Sequence, residues 1–154
     1  MSGVTSIAIR PMRPEDAARV AELTTELGYP STEDEIRRRY GLIINRPDAS
    51  LFVAHDARNV VVGWIHVQAT HLLECDARAE IWGLVVGESV RGTGVGRRLV
   101  EAAEEWALRR GLRAMAVGSN QRRTEARGFY EHLGYKLAKT QNAFRKTLTQ
   151  NTNQ

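Results

Sequence analysis

Apolar and polar positions follow two rhythms along the chain, and each change of rhythm marks an element boundary. Ser6 to Met12 (SIAIRPM) reads as a short strand stopped by prolines. Pro14-Glu15-Asp16 opens a helix with Arg13 at the cap position. Ala17, Val20, Ala21, Leu23, Thr24 and Leu27 form its apolar stripe, and Gly28 ends it. Tyr29-Pro30 is a break. Ser31-Thr32-Glu33-Asp34-Glu35 has a capping-box pattern, and its helix runs through Ile36, Tyr40 and Ile43 or Ile44 to stop before Pro47. Ser50 to His55 and Val60 to Ala69 read as strands joined by the turn Asp56-Ala57-Arg58-Asn59, a hairpin.

A loop from His71 to Ala77 leads into a longer third strand, Arg78 to Val86. A central helix follows from Gly94 to Arg110, with Val95, Leu99, Ala102, Ala103, Trp106 and Ala107 on one face. Glu105 and Arg109 form an i,i+4 pair, and Gly111 ends that helix. Arg113 to Gly118 is a short strand, and Thr124 to Leu133 a short helix closed by Gly134. Tyr135 to Lys139 and Ala143 to Leu148 are expected as a final strand pair. The order is strand, two helices, three strands, helix, strand, helix, two strands. A mixed sheet with helices on both faces buries that pattern best. One α/β domain over residues 1–148 and a polar tail over 149–154 are expected.

Composition narrows the function classes. The 154 residues are 42% hydrophobic and 26% charged, ordinary values for a globular chain. No apolar run approaches the ~20 residues of a membrane-spanning helix, and the N-terminus lacks a signal-peptide pattern. The single cysteine, Cys75, forms no internal disulfide framework and no multi-cysteine zinc site, so a cytoplasmic location is expected. No histidine pair has zinc spacing, and no metal is expected. The net charge of +4, carried mainly by arginine, suits a phosphate-bearing partner. No nucleic-acid-binding motif accompanies it, so neither a nucleic acid nor a membrane is the expected partner.

The most informative stretch is Leu84 to Gly96, LVVGESVRGTGVG. Leu84, Val85 and Val86 run through a polar link into Arg91-Gly92-Thr93-Gly94-Val95-Gly96. A strand feeding a glycine-rich turn into a helix start is a device for holding phosphate. The glycines allow close approach, and the first-turn N–H groups have no intrahelical partner. Two common nucleotide motifs fail on spacing. G-x-G-x-x-G would need glycine at 97 or 99, where Arg97 and Leu99 stand, and no Gly-Lys-Ser or Gly-Lys-Thr is present.

Arg91-x-x-Gly94-x-Gly96 resembles the R/Q-x-x-G-x-G/A signature of the GNAT superfamily of N-acetyltransferases. The approach strand EIWGLVV, Asn120, Ala126, Phe129-Tyr130 and Leu133-Gly134-Tyr135 stand in that family's order. The likeness is strongest from Glu80 to Tyr135. It implies a single-domain GNAT fold of about seven strands and about four helices, with acetyl-coenzyme A as cosubstrate. It implies that the backbone of Arg91 to Gly96 holds the pyrophosphate. The backbone of Leu84 to Val86 would pair with the pantetheine arm, and Asn120 would hydrogen-bond it. Arg97, Arg98, Arg122 and Arg123 are candidates for the 3′-phosphate. A homodimer is implied by the resemblance alone.

Acetyl transfer to an amine needs a neutral nucleophile, a polarised carbonyl and a protonated leaving thiolate. A lysine-like amine (pKa ~10.4) is almost wholly protonated at pH 7, and the thiolate resembles that of cysteine (pKa ~8.5), so a base and a donor both help. Tyr130 matches the family's acid. Glu80 is the candidate base, with water as the alternative. This chain carries Trp82 where several relatives have an acid. Trp82 reads either as core packing or as a wall of the acceptor slot. Tyr29, His71, Glu74, Glu80 and Trp82 are the candidate acceptor contacts, with Asp76 adding negative charge to attract a cationic amine. A small-molecule amine is slightly favoured over a protein N-terminus or lysine. A non-catalytic coenzyme A-binding module is the alternative.

Overall fold

A computed structural model describes residues 6–119 and 124–150. Two compact units divide the chain, Met1–Gly118 and Ser119–Gln154. The first holds a five-stranded sheet in the order β1-β2-β3-β4-β5. Its strands are β1 (Ala8–Pro11), β2 (Ala49–His55), β3 (Val61–Thr70), β4 (Arg78–Val86) and β5 (Met115–Val117). The first four are paired antiparallel, and β5 joins β4 in parallel. The helices α1 (Ala17–Leu27), α2 (Glu33–Ile44) and α3 (Val95–Arg109) belong to the same unit.

Local chemistry explains the helix ends. Asp56 to Asn59 makes the expected hairpin turn, with Asn59 at φ 61°. Gly28, at φ 112°, caps α1 with its N–H on the carbonyls of Thr24 and Thr25. Thr32 and Glu35 close the reciprocal capping box of α2. The exposed helix faces carry arginine–glutamate pairs one turn apart, Arg37–Glu33, Arg39–Glu35, Arg97–Glu101 and Arg109–Glu105. Each such surface pair contributes about 0.3–0.5 kcal/mol, so burial must supply the rest.

That burial occurs on both sheet faces. On one, Val20, Ala21 and Leu23 of α1 and Ile36 of α2 pack with Leu51, Val53, Val61 and Val85. On the other lies α3. A Cβ on Gly63 would meet the Val85 carbonyl at 2.9 Å and Leu99 at 3.1 Å, so glycine lets the helix seat closely on β3. Val95, Leu99, Val100, Ala103 and Ala107 are the buried face of α3. The periodicity put Ala102 and Trp106 in this stripe; Trp106 is half-buried under the Arg110 guanidinium, 4.6 Å from the ring centroid.

The corner between β1 and α1 is tied by a buried ion pair. Arg10 grips both oxygens of Asp16 at 2.8 Å, and the Arg13 N–H donates to the same carboxylate at 2.8 Å. Burial alone would raise the Asp16 pKa; the hydrogen bonds from Arg10 and Arg13 outweigh it and hold the carboxyl below its ordinary value.

The second unit contains α4 (Thr124–His132), ended by Gly134 at φ 94°. The final strand pair, expected over 135–139 and 143–148, does not form. No strand is present among the described residues beyond β5, and Leu137, Phe144 and Leu148 stand exposed. The sheet therefore has five strands rather than about seven. The physical reason is that a strand exists only through its ladder, and a lone two-stranded hairpin is marginal in water. The element order up to α4 is the expected one.

Replacing Asp16 by alanine leaves the Arg10 guanidinium buried and unpaired, with an expected loss of about 3 kcal/mol in a urea melt. In the wild type the depressed Asp16 pKa gives stability that is present above the unfolded-state pKa of ~3.9 and lost as pH falls through the folded-state value. Melts from pH 7 down to 2 should show this acid loss, and Asp16→Asn should flatten it.

Candidate functional site

The site begins with an irregularity in β4. Its register with β3 runs Leu84 opposite Ile65 and Gly83 opposite His66, then jumps to Ile81 opposite Val67. Trp82 is the extra residue, a β-bulge. At the same place the parallel ladder to β5 stops, its last pair being Ile81 with Val117. Beyond Ile81, β4 has a partner on the β3 side only among the described residues.

Two hydrogen bonds fix which way the remaining amides face. Ala79 N–H donates to Ala114 O on the β5 side at 3.0 Å, and Gly87 N–H donates to Val62 O on the β3 side at 2.8 Å. Alternation from Gly87 turns the N–H and C=O of Leu84 and Val86 to the open edge, while Val85 bonds to β3. The bulge makes this possible, because the extra residue shifts the alternation after Ile81. The result is a short backbone edge whose donors and acceptors have no strand partner among the described residues.

That edge leads directly to the glycine turn. Val90 N–H closes on Gly87 O at 3.1 Å, Arg91 N–H on Glu88 O at 3.3 Å and Thr93 N–H on Val90 O at 3.3 Å, and the Thr93 hydroxyl donates to Val90 O as well. Gly92 (φ 78°) and Gly94 (φ 91°) adopt the left-handed conformation, which costs an L-residue about 1–2 kcal/mol. Gly94 is the N-cap of α3 and offers no side chain to its first turn. Arg98 N–H is the first to close on the helix, to Gly94 O at 3.1 Å. The N–H groups of Val95, Gly96 and Arg97 precede it and find no acceptor among the described residues. They converge with the positive end of the helix dipole. This donor set fits a diphosphate.

The cradle arginines have separate engagements. Arg97 pairs with Glu101 at 2.9 Å, the Arg98 guanidinium donates to the Ile7 carbonyl, and Arg91 Nε donates to Val86 O at 3.3 Å. Asn120, Arg122 and Arg123 lie outside the described residues.

Around the bulge, the structure sorts the acceptor candidates. Trp82 is 59% exposed and so is not a core residue. A bulge residue beside an unpaired strand edge has no neighbouring layer to bury it. Glu80 is largely shielded, and Arg78 grips its Oε1 from Nε at 3.1 Å and from a terminal nitrogen at 3.0 Å. Tyr29 is exposed on the connection between α1 and α2. His71 and Glu74 are exposed on the loop between β3 and β4, with His71 in electrostatic reach of Asp48. Tyr29 therefore lies on a different connection from His71 and Glu74.

Trp64 and Gly83 were not among the sequence candidates. The indole of Trp64 lies over Gly83 so closely that a Cβ there would sit 2.7 Å from two ring carbons. Trp64 Nε1 donates to Thr24 Oγ1 at 3.1 Å, and that hydroxyl donates to Val20 O at 2.7 Å. The ring thus ties α1 to the residue beside the bulge. A glycine inside a strand pattern was the available signal. His66, opposite Gly83, buries its Nε2 without a partner among the described residues; burial, with the charge of Arg46, lowers its pKa and keeps the ring neutral near pH 7.

In the second unit, Tyr130 packs edge-to-face with Phe129 and Tyr135, centroids 5.0 and 5.7 Å away. Burial pushes its hydroxyl up to about 12, so it stays protonated through the neutral range.

Comparison with known proteins agrees with this layout. The model of the acetyltransferase (GNAT) family matches residues 17–135. Mouse N-alpha-acetyltransferase 80 is 36% identical over 81 residues, 53% of this chain and 24% of that protein. The peptidyl-lysine N-acetyltransferase YjaB of Escherichia coli K12 is 34% identical over 91 residues, 59% of this chain and 52% of that protein. The chain thus spans about a quarter of the first relative's length and about half of the second's. Among solved structures, the aminoglycoside N-acetyltransferase AAC(6')-Iy in complex with CoA superposes with a TM-score of 0.83 at 20% identity, covering 96% of this chain and 99% of that one. With β4 opening beside β5 and running into a glycine cradle at the start of α3, and with the family model covering residues 17–135, this chain belongs to the GNAT acetyltransferase family.

Proposed function

We propose that this chain transfers an acetyl group from acetyl-coenzyme A directly to a primary amine, with residues 1–148 forming the acetyltransferase domain. The observation that carries the reading is the continuity of two binding devices. The open edge at Leu84–Val86 suits an amide-bearing arm, and the cradle from Arg91 to Gly96, continuing to Arg97, suits the diphosphate at the end of that arm.

Each chemical requirement then has a residue. An outward backbone N–H at Leu84 or Val86 receives the oxyanion that develops on the thioester carbonyl. Glu80 takes the amine proton, directly or through water. Its two contacts with Arg78 both fall on Oε1, which leaves Oε2 for the incoming proton. Tyr130 donates to the departing sulfur. With a pKa of about 12 against ~8.5 for a thiol, its role is a hydrogen bond that stabilises the thiolate more than a completed proton transfer. Asn120 supports the coenzyme arm.

A small-molecule amine is the favoured acceptor. The exposed indole of Trp82, two residues along β4 from Glu80, suits a compact alkylammonium group, with Tyr29, His71 and Glu74 as the outer contacts. The names of the two curated relatives support a second reading, a protein N-terminus or lysine as acceptor. A panel of alkyl amines, aminoglycosides and peptides, with release of free thiol as readout, separates the two.

Acetyl-coenzyme A at a hundred times its dissociation constant should stabilise the fold by about 2.7 kcal/mol in a thermal melt. Gly94→Val should remove that shift while the unliganded protein still melts cooperatively; an unchanged shift would place the cradle elsewhere. Tyr130→Phe should lower kcat about 10²-fold and leave coenzyme affinity within about twofold. Because the Tyr130 pKa is raised, the hydroxyl remains a donor as pH rises. The kcat profile should therefore show no Tyr130-dependent basic limb below about pH 11.

A further inference from the structure

Arg91 stands between the two binding devices and touches one of them. Its Nε donates to the carbonyl of Val86 at 3.3 Å. That carbonyl faces the open edge of β4, so the guanidinium lies where an incoming arm would place its own amide. Arg97 has Glu101 and Arg98 has the Ile7 carbonyl, whereas Arg91 is paired with no carboxylate among the described residues. Among those residues its charge faces a carbonyl dipole. The first-turn N–H groups of α3, which begin four residues further on at Val95, mark the place for a diphosphate.

We infer that Arg91 is a specificity-determining latch that makes the β4 edge selective for thioesters carrying a diphosphate. The inference rests on the acetyl-coenzyme A reading above. A diphosphate at the cradle gives Arg91 a pairing of opposite charges, stronger than its bond to a neutral carbonyl. The guanidinium then leaves Val86 O, and the arm takes over the edge. A short thioester without phosphates must displace Arg91 and offers it nothing in exchange. Recognition of the phosphates and access to the strand edge are thereby coupled through one side chain, with no covalent step involved.

Calorimetry with coenzyme A, and displacement of coenzyme A by S-acetylpantetheine, test this on the wild type, Arg91→Ala and Arg91→Lys. Removing the latch and its charge should shift the two ligands in opposite directions. In Arg91→Ala, the coenzyme A dissociation constant should rise about tenfold and that of S-acetylpantetheine should fall about threefold, the scale of single exposed charged and neutral hydrogen bonds. Arg91→Lys keeps a charge for the diphosphate and should bind coenzyme A more tightly than Arg91→Ala. Thermal melts check that the variants fold; a folding defect weakens both ligands and cannot produce opposite shifts. Unchanged or weaker S-acetylpantetheine binding in folded Arg91→Ala overturns the latch. Failure of the wild type to bind coenzyme A overturns the acetyltransferase reading as well, whereas normal wild-type binding without opposite shifts sinks the latch alone.

Discussion

The site depends on how far β4 can be paired. A strand in the body of a sheet normally spends its amides on both neighbours. Here the parallel ladder ends at Ile81 and an extra residue, Trp82, follows at once. The bulge reverses the alternation, so Leu84 and Val86 turn their backbone groups away from β3. One inserted residue thus separates a structural half of β4, closed on both sides, from a half with an open edge. Backbone groups that no neighbouring strand takes, held on a rigid strand, suit a binding surface, because the scaffold has already met the entropic cost of ordering them.

Supports for that half converge from elsewhere. Val85 is anchored in the core beneath α1 and α2, and Gly87 is bonded back to Val62. Trp64 spreads over Gly83 and is held to α1 through Thr24. Glu26 of α1 accepts the N–H of Glu88, just past the strand end, at 3.0 Å. Helix α1 therefore contacts the β4 region from Gly83 to Glu88 on the face opposite α3. The Arg10–Asp16 pair sets where α1 begins. The buried ion pair at the first corner and the region where β4 ends are thereby connected through packed side chains rather than through any one bond.

Much of this was legible from residues. The helical stripes, the Thr32 capping box, the Gly28 stop and the glycine turn after β4 all arise from local rules, and the structure follows them within a residue or two. The last two strands illustrate the opposite case. Tyr135 to Leu148 carries strand-like residues, but strand formation is a property of a pair, and no periodicity reports the partner. Of the two readings of Trp82, the structure rejects core packing for a related reason. Alternation along β4 assumes one residue per step, and the bulge is set by tertiary packing. Glu80 was readable as a shielded carboxylate on the right strand, yet its pairing with Arg78 at i−2 depends on side-chain reach along a bent strand. The contact of Arg91 with Val86 O likewise has no sequence signal, since it arises from the tight turn that folds the loop back on the strand.

The choice of cation in the exposed helix pairs has a chemical consequence. Every positive side chain in the first 118 residues, apart from histidine, is an arginine; the lysines of the chain are Lys136, Lys139 and Lys146, all in the second unit. A guanidinium stays protonated and is a poor nucleophile towards a thioester, whereas a lysine amine is a competent one. The sheet-bearing unit therefore offers an activated acetyl group no side-chain amine of its own. Its surface charge pattern, including the Glu33–Arg37 and Glu35–Arg39 pairs, is chemically inert to acylation.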